Sequence, residues 1–156
     1  MAYIEQNFTP TGDHIEDCIV RALACTFEDE IDYFDILSEL AFTGIIHQRD
    51  YRFEAVFKDL LLNHDGHYDM IRLVPHERLT VKKWADLTSE LPFHVKHFVL
   101  VNEHAVPIKL GNYYDTFDSG RRVVKSVYIR AHDLSDFNRL LDAQEIDYHI
   151  SWKKEE

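Results

Sequence analysis

The chain has 156 residues, of which 46% are hydrophobic and 29% are charged. This size and composition are typical of one globular domain with its own core, so we expect a single domain over residues 1–156. The formal net charge of −11 disfavours binding to nucleic acid or to anionic membranes and leaves a protein or peptide, particularly a basic one, as the expected partner. The sequence has neither the run of about 20 apolar residues that spans a bilayer nor the start of a signal peptide. It therefore predicts a cytoplasmic protein.

The chain contains two cysteines, Cys18 and Cys25. Seven positions along one helix correspond to about 10 Å of helix axis, whereas the Cα atoms of a disulfide lie within about 7 Å of each other. Neither cysteine has a second cysteine at the short spacing of a zinc knuckle. We therefore expect two free thiols, as is typical of a reducing compartment.

The N-terminal half of the chain has the apolar periodicity of helices. The residues before about position 13 predict irregular structure, because Pro10 and Gly12 are turn-forming residues. Apolar residues then recur at helical spacing and predict helices over 16–27, 30–42 and 52–63. Gly44 and Gly66 follow the second and third segments, as helix-terminating glycines often do.

The C-terminal half changes to the pattern of β-strands. Short apolar runs predict strands over 68–74, 97–102, 105–109, 113–117, 123–129 and 148–152, with helices over 81–91 and 133–141. Gly111-Asn112 predicts a two-residue turn, and Pro107 predicts an edge or bulged position for its strand. Helices followed by an antiparallel meander are typical of an α+β fold with segregated layers.

Cys18 lies in the predicted first turn of the first helix. The free N–H groups and the dipole of a helix N-terminus favour the thiolate, which is the nucleophilic form of cysteine. Cys25 lies two turns deeper, where we expect a buried and inert thiol. For Cys18 itself, simple burial in the core is the alternative interpretation.

Thiol catalysis also needs a histidine that takes the thiol proton and a third group that orients the histidine. His104 opens a predicted strand, and the next strand ends in an acidic segment, Asp115-Thr116-Phe117-Asp118-Ser119. A hairpin between the two strands brings this segment back towards the histidine. The sequence therefore predicts a Cys18–His104 pair with an aspartate beside it.

The predicted register decides between the two aspartates. It pairs Leu110 with Tyr113 and brings Asp118 within one residue of the position opposite His104. In the same register Asp115 lies roughly 13 Å further along the strand. We therefore predict that Asp118 orients His104 and keep Asp115 as the lesser candidate. The alternative role for both aspartates is turn formation or ion pairing.

Two segments resemble small papain-like cysteine peptidases and related papain-type proteins of phages and bacteria. One is Asp17-Cys18-Ile19-Val20-Arg21-Ala22-Leu23, which is similar to their nucleophile helix. The other opens at His104, passes a glycine turn and closes at Asp118, in the order that papain-like enzymes use. The resemblance implies a papain-like α+β fold, with N-terminal helices that include the nucleophile helix and a C-terminal antiparallel sheet. It also implies a thiol protease that acts through a thioester and needs no cofactor.

The resemblance further implies a donor that stabilises the oxyanion. Papain-like enzymes place a glutamine a few residues before the cysteine, whereas this chain has Gly12, Asp13 and His14 there. A carboxylate cannot donate a hydrogen bond to an oxyanion. Asn7 and His14 are therefore the candidate donors, together with a backbone N–H at the helix start.

Histidine pairs at metal-ligand spacing occur twice, as His64-x-x-His67 and His94-x-x-His97. The first pair spans a turn, and the second reads as extended chain, in which positions i and i+3 point apart. No zinc motif or nucleotide-binding glycine motif is present in the sequence. We therefore expect neither a metal nor a cofactor.

Three functions are compatible with these patterns. The first is a papain-like cysteine peptidase or amide hydrolase that acts through Cys18, His104 and Asp118. The second is a catalytically inactive papain-like scaffold that binds or inhibits another protein, as a phage factor does. The third is a structural or assembly protein in which Cys18 is merely buried. The sequence names neither the substrate nor the oligomeric state.

Overall fold

The computed structural model describes residues 3–6 and 17–151. The helices are α1 (Cys18–Thr26), α2 (Tyr33–His47), α3 (Glu54–Leu61), α4 (Val81–Thr88) and α5 (Leu134–Ala143), with a short 3-10 helix (Ala131–Asp133) before α5. The strands are β1 (Tyr3–Glu5), β2 (Met70–Pro75), β3 (Lys96–Val101), β4 (His104–Lys109), β5 (Asn112–Asp115), β6 (Ser126–Arg130) and β7 (Tyr148–Ser151). The predicted α+β class is confirmed.

The strands of the described residues form one sheet in the order β1-β5-β4-β3-β6-β2-β7. Neighbouring strands are antiparallel except for β1 and β5, which are parallel. Strands β3, β4 and β5 form the predicted meander, but β6 then returns to the far side of β3 instead of pairing with β5. Phe98 and Tyr128 stack across this β3–β6 contact with their ring centroids 5.0 Å apart. Such a non-local pairing leaves no signal in the local sequence.

Helices cover both faces of the sheet. Because side chains alternate along a strand, Phe98 and Leu100 of β3 point to one core, with Ile19 of α1 and Phe57 of α3. Val99 and Val101 point to the second core, which includes Trp84 of α4 and Phe137 of α5. The sheet therefore separates an α1–α3 face from an α4–α5 face.

Several local predictions differ from the structure. Gly44, expected to follow the second helix, lies inside α2. Residues 3–5, predicted to be irregular, form β1 and pair in parallel with β5. Pro107 lies in β4, which has a neighbour on each side and is not an edge strand. The β4–β5 pairing involves Ile108 and Lys109 and stops before Pro107, so the sheet accommodates the missing proline N–H where one ladder ends.

None of the helices in residues 17–151 combines the length and the apolar character that crossing a membrane requires.

Candidate functional site

Helix α1 begins at Cys18, so its thiol lies at the helix N-terminus. The preceding Asp17 is buried, forms an ion pair with Arg21 at 2.8 Å, and accepts a hydrogen bond from the Tyr33 hydroxyl of α2. These contacts hold the start of α1 against α2. The nucleophile candidate is therefore attached to a fixed backbone rather than to a free loop.

A tight turn places His104 directly after β3. Asn102 and Glu103 both have positive φ, at 37° and 70°, which is the backbone of the turn that best connects antiparallel strands. His104 pairs with Val101 as the first residue of β4, and α1 packs against this strand. The His104 ring therefore lies at the end of the sheet that adjoins the start of α1.

The Cys18 thiol and the His104 ring line the same cleft, and each shifts the pKa of the other. The Nε2 atom of the ring lies 2.7 Å from Oδ2 of Asp115, which leaves Nδ1 as the ring nitrogen that can face the thiol. The His104 side chain is 14% exposed and that of Asp115 only 2%, so the histidine–carboxylate contact is shielded from water.

Asp115, and not Asp118, is the aspartate that contacts His104, so the predicted orienting residue was wrong. The hairpin turns at Leu110 and Gly111, which have φ of 55° and 74°, rather than at Gly111-Asn112. Consequently Tyr113 pairs with Ile108 instead of with Leu110. This register shift moves Asp115 towards His104 by two residues, into the diagonal position from which cross-strand side chains meet.

The Asp115 carboxylate is itself held in place by two further donors. The Ser119 hydroxyl donates to Oδ2 at 2.8 Å, and the Thr116 backbone N–H donates to Oδ1 at 2.8 Å. Ser119 is 1% exposed. The sequence pattern predicts no role for Ser119, and only the observed register identifies it as a support of the site.

Asp118 has a structural role in the neighbouring turn. It accepts hydrogen bonds from the Tyr113 hydroxyl at 2.7 Å and from the Gly120 backbone N–H at 2.9 Å. The hydrogen bond from Tyr113, followed by that from Gly120, lowers the pKa of the Asp118 carboxyl. Asp118 therefore has the turn-forming role that the sequence offered as the alternative, and its side-chain partner is a tyrosine instead of an arginine.

Phe117 completes the surroundings of the histidine. Its ring stacks on the His104 ring with centroids 5.0 Å apart and an interplanar angle of 28°. The Arg122 guanidinium lies over the Phe117 ring, 5.0 Å from its centroid. The imidazole is thus fixed by the thiol, a carboxylate and an aromatic face.

These contacts move the pKa values of the pair in opposite directions. Burial by itself lowers the pKa of His104, but the hydrogen bonds to Asp115 and Cys18 outweigh it and raise the pKa to about 9. Burial by itself raises the pKa of Cys18, but the hydrogen bond from His104, the Ala105 backbone N–H and the charges of His104 and Arg21 bring it below its ordinary value. Both shifts favour a thiolate–imidazolium pair.

Cys25 differs from Cys18 in its surroundings. It is fully buried, and that burial raises the pKa of its thiol to about 12. A thiol of this kind stays protonated at neutral pH. The expected burial of Cys25 is confirmed, and its low reactivity stays a prediction.

The Cys18–His104 pair opens into a cleft of about 710 Å³. Apolar side chains of Ile19, Phe53, Phe57 and Leu100 form part of its lining. Charged side chains also border it, namely Arg21, Asp50, Arg52, Glu54, Glu103 and Lys125. The volume of the cleft is typical of ligand sites, and its lining combines apolar and charged side chains.

The predicted oxyanion donors, Asn7 and His14, lie outside the described residues 3–6 and 17–151. Within the described part of the chain, the start of α1 offers backbone N–H groups beside the thiol.

The histidine pairs set aside as metal sites have other partners. His64 contacts Asp69 at 2.7 Å, and His67 contacts Glu39 at 2.8 Å. His97 is buried in the core and accepts a hydrogen bond from the Trp84 indole at 2.9 Å. The two members of each pair therefore do not share a site.

Comparisons with protein-family models, with curated protein sequences and with solved structures found no match for this chain.

Proposed function

We propose that this protein is a cysteine hydrolase that cleaves a peptide or other amide bond through a thioester intermediate. The observation that carries the proposal is the position of the His104 ring, which lies 2.7 Å from the Asp115 carboxylate and lines one cleft together with the Cys18 thiol. A nucleophile, a base and an orienting carboxylate in this order are the parts that covalent acyl transfer needs. The likeness to papain-like proteins of phages and bacteria belongs to the same proposal.

In the first half of the reaction, His104 carries the proton of Cys18 and the thiolate attacks the carbonyl carbon. The resulting oxyanion is stabilised by backbone N–H groups at the start of α1. The imidazolium then donates its proton to the leaving amine, the C–N bond breaks, and a thioester to Cys18 remains. General acid–base action of this kind contributes about 10²- to 10⁴-fold.

In the second half, His104 acts as a base towards water. Water attacks the thioester carbonyl while His104 takes one of its protons, and the S–C bond then breaks to release the acid and Cys18. Asp115 orients the imidazole and stabilises the imidazolium in both halves of the reaction.

The first experiment measures the alkylation rate of Cys18 by iodoacetamide as a function of pH. It is done with wild type and His104→Ala, both in a Cys25→Ser background. We expect the wild-type thiol to react at pH values well below the ordinary thiol pKa of about 8.5. In His104→Ala the pKa should rise above that value, because burial then acts without the opposing hydrogen bond.

The proposal is contradicted if both proteins show the same ordinary thiol titration. If instead the thiol is activated, a library of fluorogenic peptides identifies the substrate. Cys18→Ser serves as the inactive control in that assay. An activated thiol with no turnover of any amide would limit the proposal to thiol chemistry without peptidase activity.

A second candidate function, protein binding without catalysis, is favoured by the surface of α2. Phe34, Phe42, Ile45 and Ile46 are each more than half exposed, with Ile45 at 72%. Exposed apolar side chains clustered on one helix are typical of protein contacts. If protein binding is the function, Cys18→Ser should still bind the partner protein, whereas Phe42→Asp should not.

A further inference from the structure

A group of metal-ligand side chains lies far from the thiol site. His94 precedes β3, Asp133 ends the 3-10 helix, and Asp136 lies in the first turn of α5. One ligand atom from each of the three side chains lies within 4.8 Å of the other two. The segments that carry them lie near the start of β3, whereas His104 pairs with Val101 at the end of that strand.

Asp133 is the unusual member of the group. It stands at the N-cap position of α5, where an aspartate normally accepts a hydrogen bond from the helix backbone, yet its side chain makes no capping hydrogen bond. The side chain is only 3% exposed, and the nearest basic side chain is His132, whose Nε2 lies 3.5 Å away. His94 and Arg130 also act on the carboxylate through their charges. A buried carboxylate whose closest ion pair is this long is stabilised further when a cation joins it.

The other two members can move towards a common centre. His94 lies on an exposed turn, and the Asp136 side chain is 23% exposed with only a loose contact to Arg139 at 3.7 Å. Ligands bound to one metal ion at 2.0–2.2 Å lie about 3 to 4.4 Å from one another. The three side chains therefore need only small rotations to reach bonding distance.

We propose that His94, Asp133 and Asp136 bind a divalent transition-metal ion such as Mn²⁺ or Zn²⁺. One imidazole and two carboxylates, with no thiolate, form a mixed nitrogen and oxygen donor set that suits these ions. Three protein ligands leave the remaining positions to water. The ion joins the segment before β3 to the start of α5 and neutralises the buried carboxylate, so its first effect is to stabilise the fold.

The test uses Mn²⁺ as the probe, because Mn²⁺ prefers oxygen and nitrogen ligands to the thiolate of Cys18. Free Mn²⁺ is measured by its EPR signal during titration of wild type, His94→Gln and Asp136→Asn. The control is His76→Gln, which changes another exposed histidine whose Nε2 lies 2.6 Å from His149. We expect one saturable site whose Kd rises at least tenfold in His94→Gln and Asp136→Asn and stays unchanged in His76→Gln.

Thermal unfolding provides the second measurement. At about 100 times the Kd, Mn²⁺ should raise the Tm of wild type by roughly 5 °C. Asp133→Asn removes the buried charge while keeping its volume, so this variant should match or exceed the Tm of the metal-free wild type and lose the rise with Mn²⁺.

Three results would overturn the metal site. These are the absence of saturable binding, binding that is lost in His76→Gln, or binding that persists unchanged in both His94→Gln and Asp136→Asn. None of them affects the proposed hydrolase, because the site lies apart from Cys18 and the probe does not need turnover.

Discussion

His104 Nε2 lies 2.7 Å from Asp115 Oδ2, although Asp118 is the aspartate that the predicted hairpin brings to this histidine. The contact depends on a turn in which Leu110, a residue with a Cβ, adopts a φ of 55°. The contact between His104 and Asp115 determines which carboxylate polarises the histidine. Through the histidine, it also affects how readily the Cys18 thiol ionises.

The two aspartates make a matched pair of variants. Asp115→Asn removes the charge that helps to raise the pKa of His104, so the pKa of Cys18 should rise and its alkylation rate at pH 7 should fall about tenfold for each pKa unit. Asp118→Asn should leave the alkylation rate within about twofold, because this side chain contacts Tyr113 and not the histidine. A larger loss in Asp118→Asn than in Asp115→Asn would contradict the assignment.

Ser119 is expected to be a positioning residue that acts through Asp115. Ser119→Ala removes one hydrogen bond to the carboxylate, worth about 1 kcal/mol, and should lower the alkylation rate at pH 7 by about fivefold. The acid limb of the plot of alkylation rate against pH should shift to higher pH, which a purely structural role of Ser119 would not cause. Ser119→Thr keeps the hydroxyl and should restore the profile; if it does not, the hydrogen bond is not the reason.

The pH dependence of hydrolysis should differ from that of alkylation. Hydrolysis needs both the thiolate and the imidazolium, so its rate should rise as Cys18 ionises below its ordinary pKa and fall as His104 loses its proton near pH 9. Alkylation needs only the thiolate and should stay high above pH 9. Stopped assays of both reactions on the same preparation make the comparison. A parallel decline of the two rates above pH 9 would point to unfolding instead of to His104.

His97 predicts a separate effect of pH on stability. Its burial lowers the pKa to about 3, so the unfolded chain binds a proton more readily than the folded protein below pH 6.5. The free energy of unfolding should therefore decrease as the pH falls from 6.5 towards 3, by up to about 1.4 kcal/mol per pH unit.

The variant that isolates this effect is His97→Gln, whose amide oxygen can still accept the hydrogen bond of Trp84. Urea unfolding of both proteins between pH 7 and pH 4 gives the two free energies of unfolding. The difference between wild type and variant should shrink as the pH falls. A constant difference over that range would mean that His97 takes up its proton in the folded state.

Most of the local structure follows from the sequence. The helical periodicity around Cys18 predicts the helix that the structure shows at Cys18–Thr26, and the apolar run before His104 predicts the strand Lys96–Val101. Both signals are local, because the spacing of apolar residues reflects which face of an element is buried. The group of His94, Asp133 and Asp136 leaves no such local signal, because the two aspartates lie about forty positions from the histidine in the sequence.

The sequence by itself determined the α+β class, the thiol at a helix start, the burial of Cys25 and the order of cysteine, histidine and aspartate along the chain. Only the tertiary structure decided that Asp115 contacts His104, that Ser119 supports it, and that β6 lies beside β3. The reason is that strand register and strand order depend on turn geometry and on contacts between distant residues. A two-residue change in register is invisible in the apolar pattern, because it leaves every side chain on the same face of the sheet.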